Sequence, residues 1–174
     1  MSGPDKRATG LDELDTVLKG GLPAGRSTLV LGGPGAGKTI LGLQVLANAV
    51  SAGGTGILIS FEESVSEILA NAEGFDWDPA EYRGSTLHVL DGRAAVTTET
   101  TGEFDLGGLI ASLDALVQQN SSAWILLDGV DQVLDMLADP HARRREFLRL
   151  ATWLGDQNRT TLITAKTDTS GAGA

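Results

Sequence analysis

Residues Gly32, Gly33, Pro34, Gly35, Ala36, Gly37, Lys38 and Thr39 spell G-G-P-G-A-G-K-T, which meets a glycine-rich phosphate-loop pattern at every fixed position. An apolar run over 27–31 precedes it and a helical pattern starts near Lys38, so the loop is expected between a buried strand and a helix N-terminus. Backbone N–H groups of Gly35, Gly37 and Lys38 can then turn inward around an anion, and the helix dipole favours phosphate there. Lys38 would reach the outer phosphates and the Thr39 hydroxyl would hold a magnesium ion. Ile40, in the same first turn, is a further nucleotide-binding candidate. The alternative is a glycine-rich strand-to-helix turn that binds nothing.

Three further positions carry groups that phosphate chemistry needs. The run Trp124-Ile125-Leu126-Leu127-Asp128 is an apolar strand ending in a carboxylate, and Asp128 would hold magnesium with Thr39, because a hard cation takes oxygen ligands. By itself such an aspartate can equally be a helix cap or turn residue. Phe61-Glu62-Glu63-Ser64 follows a second apolar strand, and two carboxylates there could orient or activate the water that attacks a terminal phosphate. The other reading makes them first-turn acids of the next helix, with Ser64 as its cap. Lys166 closes the last strand, where it would sense or stabilise the terminal phosphate or lie in solvent.

The elements that must position these groups alternate along the chain. Helices are predicted over 9–19, 38–52, 64–72, 106–119 and 140–157, and strands over 27–31, 56–60, 86–90, 123–127 and 160–165. The helix after the loop is expected to bury Ile40, Leu41, Leu43, Val45, Leu46 and Val50. Each strand is a short apolar run, which argues for a parallel sheet buried on both faces by helices: an α/β fold. Ligands of such sheets bind at the carboxyl ends of the strands, where every candidate above falls. When a hydrolytic carboxylate follows the strand beside the metal-binding one, the last strand usually separates the first from the fourth. A Thr-rich loop over 91–105, with Thr97, Thr98, Thr100 and Thr101, is long enough to be functional or mobile.

Bulk properties narrow the class. The 174 residues suit one domain with a core over about 9–166 and a small polar tail over 167–174, expected to be disordered. No apolar run approaches the roughly 18 residues a bilayer span requires, and the first residues lack the apolar core of a secretion signal, so a cytoplasmic protein is expected. There are no cysteines, which excludes disulfides and thiolate metal sites. A net charge of −10 disfavours a nucleic-acid surface, because phosphate backbones attract clustered Lys and Arg. Arg143, Arg144, Arg145 and Arg149 lie on one helix, and a solvated or intersubunit face is the first reading for them. His88 and His141 have no partners at metal-ligand spacing and are expected to be structural, while Trp124 and Trp153 read as core.

Taken in order, the leading T-G-L-D-E-L-D and G-G-L-P-A-G-R segments, the phosphate loop, Phe61-Glu62-Glu63-Ser64, Phe104-Asp105-Leu106 and the run 144–150 resemble a KaiC-family ATPase domain of the RecA superfamily of P-loop NTPases. The resemblance covers about residues 9–166 and lies closer to the family's N-terminal, hydrolytic lobe than to its autophosphorylating C-terminal lobe. It implies a RecA-like fold, Mg-ATP as ligand, Glu62 and Glu63 as the catalytic pair alongside Lys38, and a hexameric ring with ATP between subunits. Partners of the circadian-clock or bacterial signalling kind are implied as well. The sequence also departs from the family. Gly74 stands where a serine contacts the nucleotide base, Lys166 stands where the clock protein has Glu, and the phosphoacceptor Ser/Thr pair has no counterpart. The ring's trans-acting Lys and Arg lie past the fifth strand, so a domain truncated on its C-terminal side is expected, hydrolysing slowly or conditionally. A trans-supplied arginine is worth roughly 10³ to 10⁵ in rate. The alternatives are a serine/threonine autokinase of the same type, a nucleotide-gated interaction module without enzyme activity, and a DNA-handling RecA relative.

Overall fold

The chain begins with a two-residue strand, β1 (Lys6–Arg7), which pairs antiparallel with β2 (Leu22–Pro23) around a short helix, α1 (Asp12–Val17). The predicted helix over 9–19 is therefore shorter at both ends. Thr9 is tied instead into a turn in which the Asp15 carboxylate accepts from the Thr9 and Gly10 amides and the Thr9 hydroxyl. These contacts come from a computed structural model, which describes residues 5–73, 82, 86–93, 106–120, 123–137, 139–156 and 159–167. Gly74, the threonine cluster 97–101, Phe104-Asp105 and the 168–174 tail lie outside the described residues.

The main sheet consists of β3 (Ser27–Gly32), β4 (Gly56–Ser60), β5 (Leu87–Asp91), β6 (Trp124–Asp128) and β7 (Thr160–Lys166), all parallel, in the order β3-β7-β6-β4-β5. Each strand lies within one residue of its predicted bounds at either end. As expected, β7 separates β3 from β6, and β4 lies beside β6. Connecting the strands are α2 (Lys38–Ser51), α3 (Val65–Ala72), α4 (Gly107–Gln119), α5 (Val130–Asp135) and α6 (Pro140–Asp156). The short α5 has no counterpart in the predicted pattern, since six residues carry too little periodicity to register. This is the RecA-like α/β arrangement, with helices on both faces.

Alternation along the central strands assigns the faces. Ile57 and Ile59 of β4 and Ile125 and Leu127 of β6 pack with Leu109, Leu113 and Val117 of α4, Val130 and Val133 of α5, and Leu150 and Leu154 of α6. On the opposite face, Leu58 of β4 and Leu126 of β6 pack with Leu43, Val45 and Leu46 of α2 and Ile68 of α3. Trp124 belongs to this second layer and carries the Arg7 guanidinium over its ring, 4.6 Å from the centroid. Trp153 is half-buried and donates its indole N–H to Asp114 at 3.3 Å.

The expectation of burial on both faces fails at β3. Val30 packs toward α2, but Leu29 and Leu31 point the other way and are 53% and 55% exposed. β3 is an edge strand, and the helices packed on that side are centred on β4 and β6. In the first turn of α2, Ile40 is likewise exposed and Leu41 only partly buried, so the buried stripe of the helix begins at Gly42. Glu146, by contrast, is buried on α6, where its carboxylate accepts the Leu106 amide at 3.1 Å at the N-terminus of α4. This gives α4 the anion that its own sequence does not supply as a cap. Among the described residues no helix is long and apolar enough to cross a membrane.

Candidate functional site

Parallel pairing aligns the carboxyl ends of four strands. Gly32 of β3 registers with Lys166 of β7, and Ser60 of β4 with Asp128 of β6. Every candidate group within the described residues is thereby brought to one sheet edge. A cleft of about 330 Å³ opens there, lined by Pro34, Gly35, Ala36, Gly37, Lys38, Thr39, Ile40, Glu62, Glu63, Asn71 and Lys166.

The loop owes its shape to glycine. Gly35 and Gly37 have φ of 72° and 79°, in the left-handed region where a Cβ is costly. Gly37 is the N-cap of α2 and provides no side-chain cap, so the first-turn N–H groups of the helix lack intrahelical acceptors beside the cleft. The Lys38 ammonium folds back over the loop and donates to the carbonyls of Gly32 and Gly33 at 3.0 and 2.9 Å.

Asp128 lies beneath Thr39 and is 1% exposed. The Thr39 hydroxyl reaches both of its carboxylate oxygens, at 3.0 and 3.1 Å, across 89 residues of sequence. Burial pushes the Asp128 carboxyl above the ordinary carboxylate range. Hydrogen bonds from Thr164 and Thr39 pull it back, while the Glu62 charge adds to the rise and Lys38 opposes it. This pair of hard oxygen donors fits magnesium, which takes one or two carboxylates and completes its shell with waters and phosphate oxygens. No group of three or more His, Cys, Asp or Glu able to hold a metal occurs among the described residues.

The two glutamates have different surroundings. Glu62 accepts from the Lys166 ammonium at 2.6 Å, and this bond raises the lysine's pKa. Glu63 accepts from the Asn71 amide at 2.7 Å, and its own backbone N–H is fixed by the Ser60 hydroxyl at 3.0 Å. Burial and the charges of Asp128, Glu62 and Glu67 raise the Glu63 carboxyl, opposed by the Asn71 bond. Ser64 does cap α3, through a reciprocal box with Glu67. The cap therefore leaves both glutamates outside the helix, at the cleft. Nothing in the sequence marks Asn71, because it lies eight residues from Glu63 and only the fold of α3 brings it to the cleft.

The arginine cluster lies elsewhere, on α6. Arg143 pairs with Asp135 at 3.2 Å, and Arg145 and Arg149 approach Glu146 at 3.4 and 3.6 Å, all with exposed guanidinium groups.

A parallel sheet of this strand order, with a phosphate loop at one edge and the Thr39–Asp128 pair beneath it, defines a P-loop ATPase fold of the RecA type. The family model described as ATPase: KaiC matches residues 7–174, and the chain belongs to that family. Among its relatives, circadian clock protein KaiC3 of Synechocystis sp. is 32% identical over 94% of this chain and 33% of the relative. Circadian clock protein KaiC2 of the same organism is 34% identical over 92% of this chain and 29% of its own length. The circadian clock oscillator protein KaiC of Parathermosynechococcus lividus is 34% identical over 95% and 31%. The chain thus spans about a third of the length of these relatives. Membership in an ATPase family carries ATP as the expected nucleotide.

Proposed function

We infer that this chain is a Mg-ATP-binding domain that hydrolyses ATP slowly or conditionally as part of an assembly. The observation that carries the reading is the convergence of Lys38, the Thr39–Asp128 pair, Glu62, Glu63 and Lys166 on one cleft. The loop amides and the α2 N-terminus cradle the phosphates. Lys38 exchanges its two loop carbonyls for the outer phosphate oxygens, and Thr39 with Asp128 holds magnesium. When bound, the ion neutralises charge on the transferring phosphoryl group. Glu63 takes a proton from the attacking water, and the burial and neighbouring charges that raise its carboxyl make it a stronger base. Glu62 orients that water and holds Lys166 near the terminal phosphate.

The relatives are named as circadian clock proteins, and the same role or a related signalling role is proposed here, within a homo-oligomeric ring. The decisive experiment measures Mg-ATP affinity and turnover in Lys38→Ala, and turnover in Glu62→Gln and Glu63→Gln, singly and together. Lys38→Ala should lose nucleotide affinity, and the glutamine variants should bind ATP but turn it over poorly. Unchanged affinity in the first would overturn the site, and unchanged turnover in the others would overturn the catalytic pair. Mass measurement of the purified protein with and without Mg-ATP tests the ring.

A further inference from the structure

Three threonines of β7, Thr160, Thr161 and Thr164, are buried polar residues in the sheet. Two of them serve the backbone: Thr160 accepts the Gly25 amide at 3.1 Å, and the Thr161 hydroxyl points to the Arg159 carbonyl at 3.5 Å. Thr164 differs, because its hydroxyl lies 2.7 Å from Asp128 Oδ1 and accepts the Gly129 amide at 2.8 Å. A hydroxyl has one proton, and with Gly129 donating to the oxygen, that proton is committed to Asp128. The geometry points to Thr164 as a positioning residue that orients the Asp128 carboxylate for a nucleotide-bound magnesium ion, an inference that rests on the function proposed above.

The physical case has two parts. A carboxylate that is 1% exposed would pay the cost of desolvation without donors, and two hydroxyls supply them. Thr39 is the donor that a bound ion would engage, so Thr164 is the one that remains committed to Asp128 when the ion arrives. It occupies Oδ1, while Oδ2 is shared with Thr39 alone among the described hydrogen bonds. The same hydroxyl anchors Gly129, whose φ of 73° forms the turn after β6. A Cβ at Gly129 would lie 3.1 Å from that of Glu62, so this turn also backs the glutamate. Partners that hold a metal-binding carboxylate in this way typically change metal affinity about 10- to 100-fold when removed.

The test uses the 174-residue chain and calorimetry with a non-hydrolysable ATP analogue, in excess magnesium and again in EDTA. In Thr164→Val the gain in affinity from magnesium should shrink about 10- to 100-fold, with affinity in EDTA unchanged. Thr164→Ser, which keeps the hydroxyl, should retain the gain. If Thr164→Val does not fold, Thr164→Ala against Thr164→Ser makes the same comparison, with melting in EDTA reporting stability separately. A full magnesium gain in the variants lacking the hydroxyl, or equal losses with and without magnesium, would overturn the inference alone. A wild-type chain without nucleotide affinity that Lys38→Ala can abolish would overturn the underlying function as well.

Discussion

Replacing Lys166 with Met separates a chemical role from a structural one. The Lys166–Glu62 contact is short, 2.6 Å, but the two side chains are 32% and 38% exposed, so water and salt screen it. Exposed pairs of this kind contribute about 0.2 to 1 kcal/mol. For a domain of this size 1 kcal/mol moves Tm by about 2 to 4 °C, so Lys166→Met should lower Tm by no more than about 4 °C. Its effect on turnover should be larger. If the ammonium meets charge that develops only as the terminal phosphate departs, one charge-assisted hydrogen bond of about 1.5 to 3 kcal/mol is lost. At 1.36 kcal/mol per decade this lowers kcat about 10- to 150-fold, with Mg-ATP affinity little changed. Phosphate-release kinetics, calorimetric binding and a thermal melt on the same preparation give the three readouts. A kcat within twofold of wild type would mean that Lys166 is a solvated strand-end residue. A fall in Tm beyond about 10 °C would mean that the ion pair holds the fold, and the division of roles would be wrong.

Glu63 makes a prediction about pH. Its carboxyl titrates above the unfolded value of about 4.3, so folding favours the protonated form. That contribution is present at acid pH and is lost as pH rises through the folded pKa, leaving an ionised group that burial and three neighbouring carboxylates disfavour. Glu63→Gln should therefore be more stable than wild type at neutral pH, and the difference should disappear below about pH 4; a pH-independent difference in denaturant melts would refute the electrostatic cause. Two glycines on helices should respond oppositely to alanine. A Cβ at Gly42 of α2 would lie 2.6 Å from a methyl of fully buried Leu126, which overpacking costs about 1 to 3 kcal/mol, more than helix propensity returns. Gly155 of α6 is exposed with nothing within 4 Å of a Cβ, so alanine there should stabilise by about 0.5 to 1 kcal/mol, and denaturant melts read both signs.

Much of the candidate site is legible in the sequence because its parts are local. The phosphate loop occupies eight contiguous residues, its glycines meet a backbone requirement at their own positions, and the flanking strand and helix announce themselves by period. Glu62, Glu63 and Asp128 were legible for a related reason, since each follows directly on an apolar strand and parallel strands end at a common edge. Asn71, Thr164 and Glu146 were not. Each is a polar residue inside a helix or strand, where periodicity reads only a break in the apolar pattern.

What the sequence determined by itself is therefore the alternation of strands and helices, the loop and the polar residues at strand ends. The tertiary structure decided which of these meet. Thr39 reaches Asp128 across 89 residues, Lys166 reaches Glu62 across 104, and Thr164 reaches Asp128 across 36. It also left Leu29 and Leu31 exposed on an edge strand whose composition reads as buried. The reason is physical: apolar period reports which way a side chain faces within its own element, whereas a 3 Å contact depends on strand order and register, which are properties of the assembled sheet.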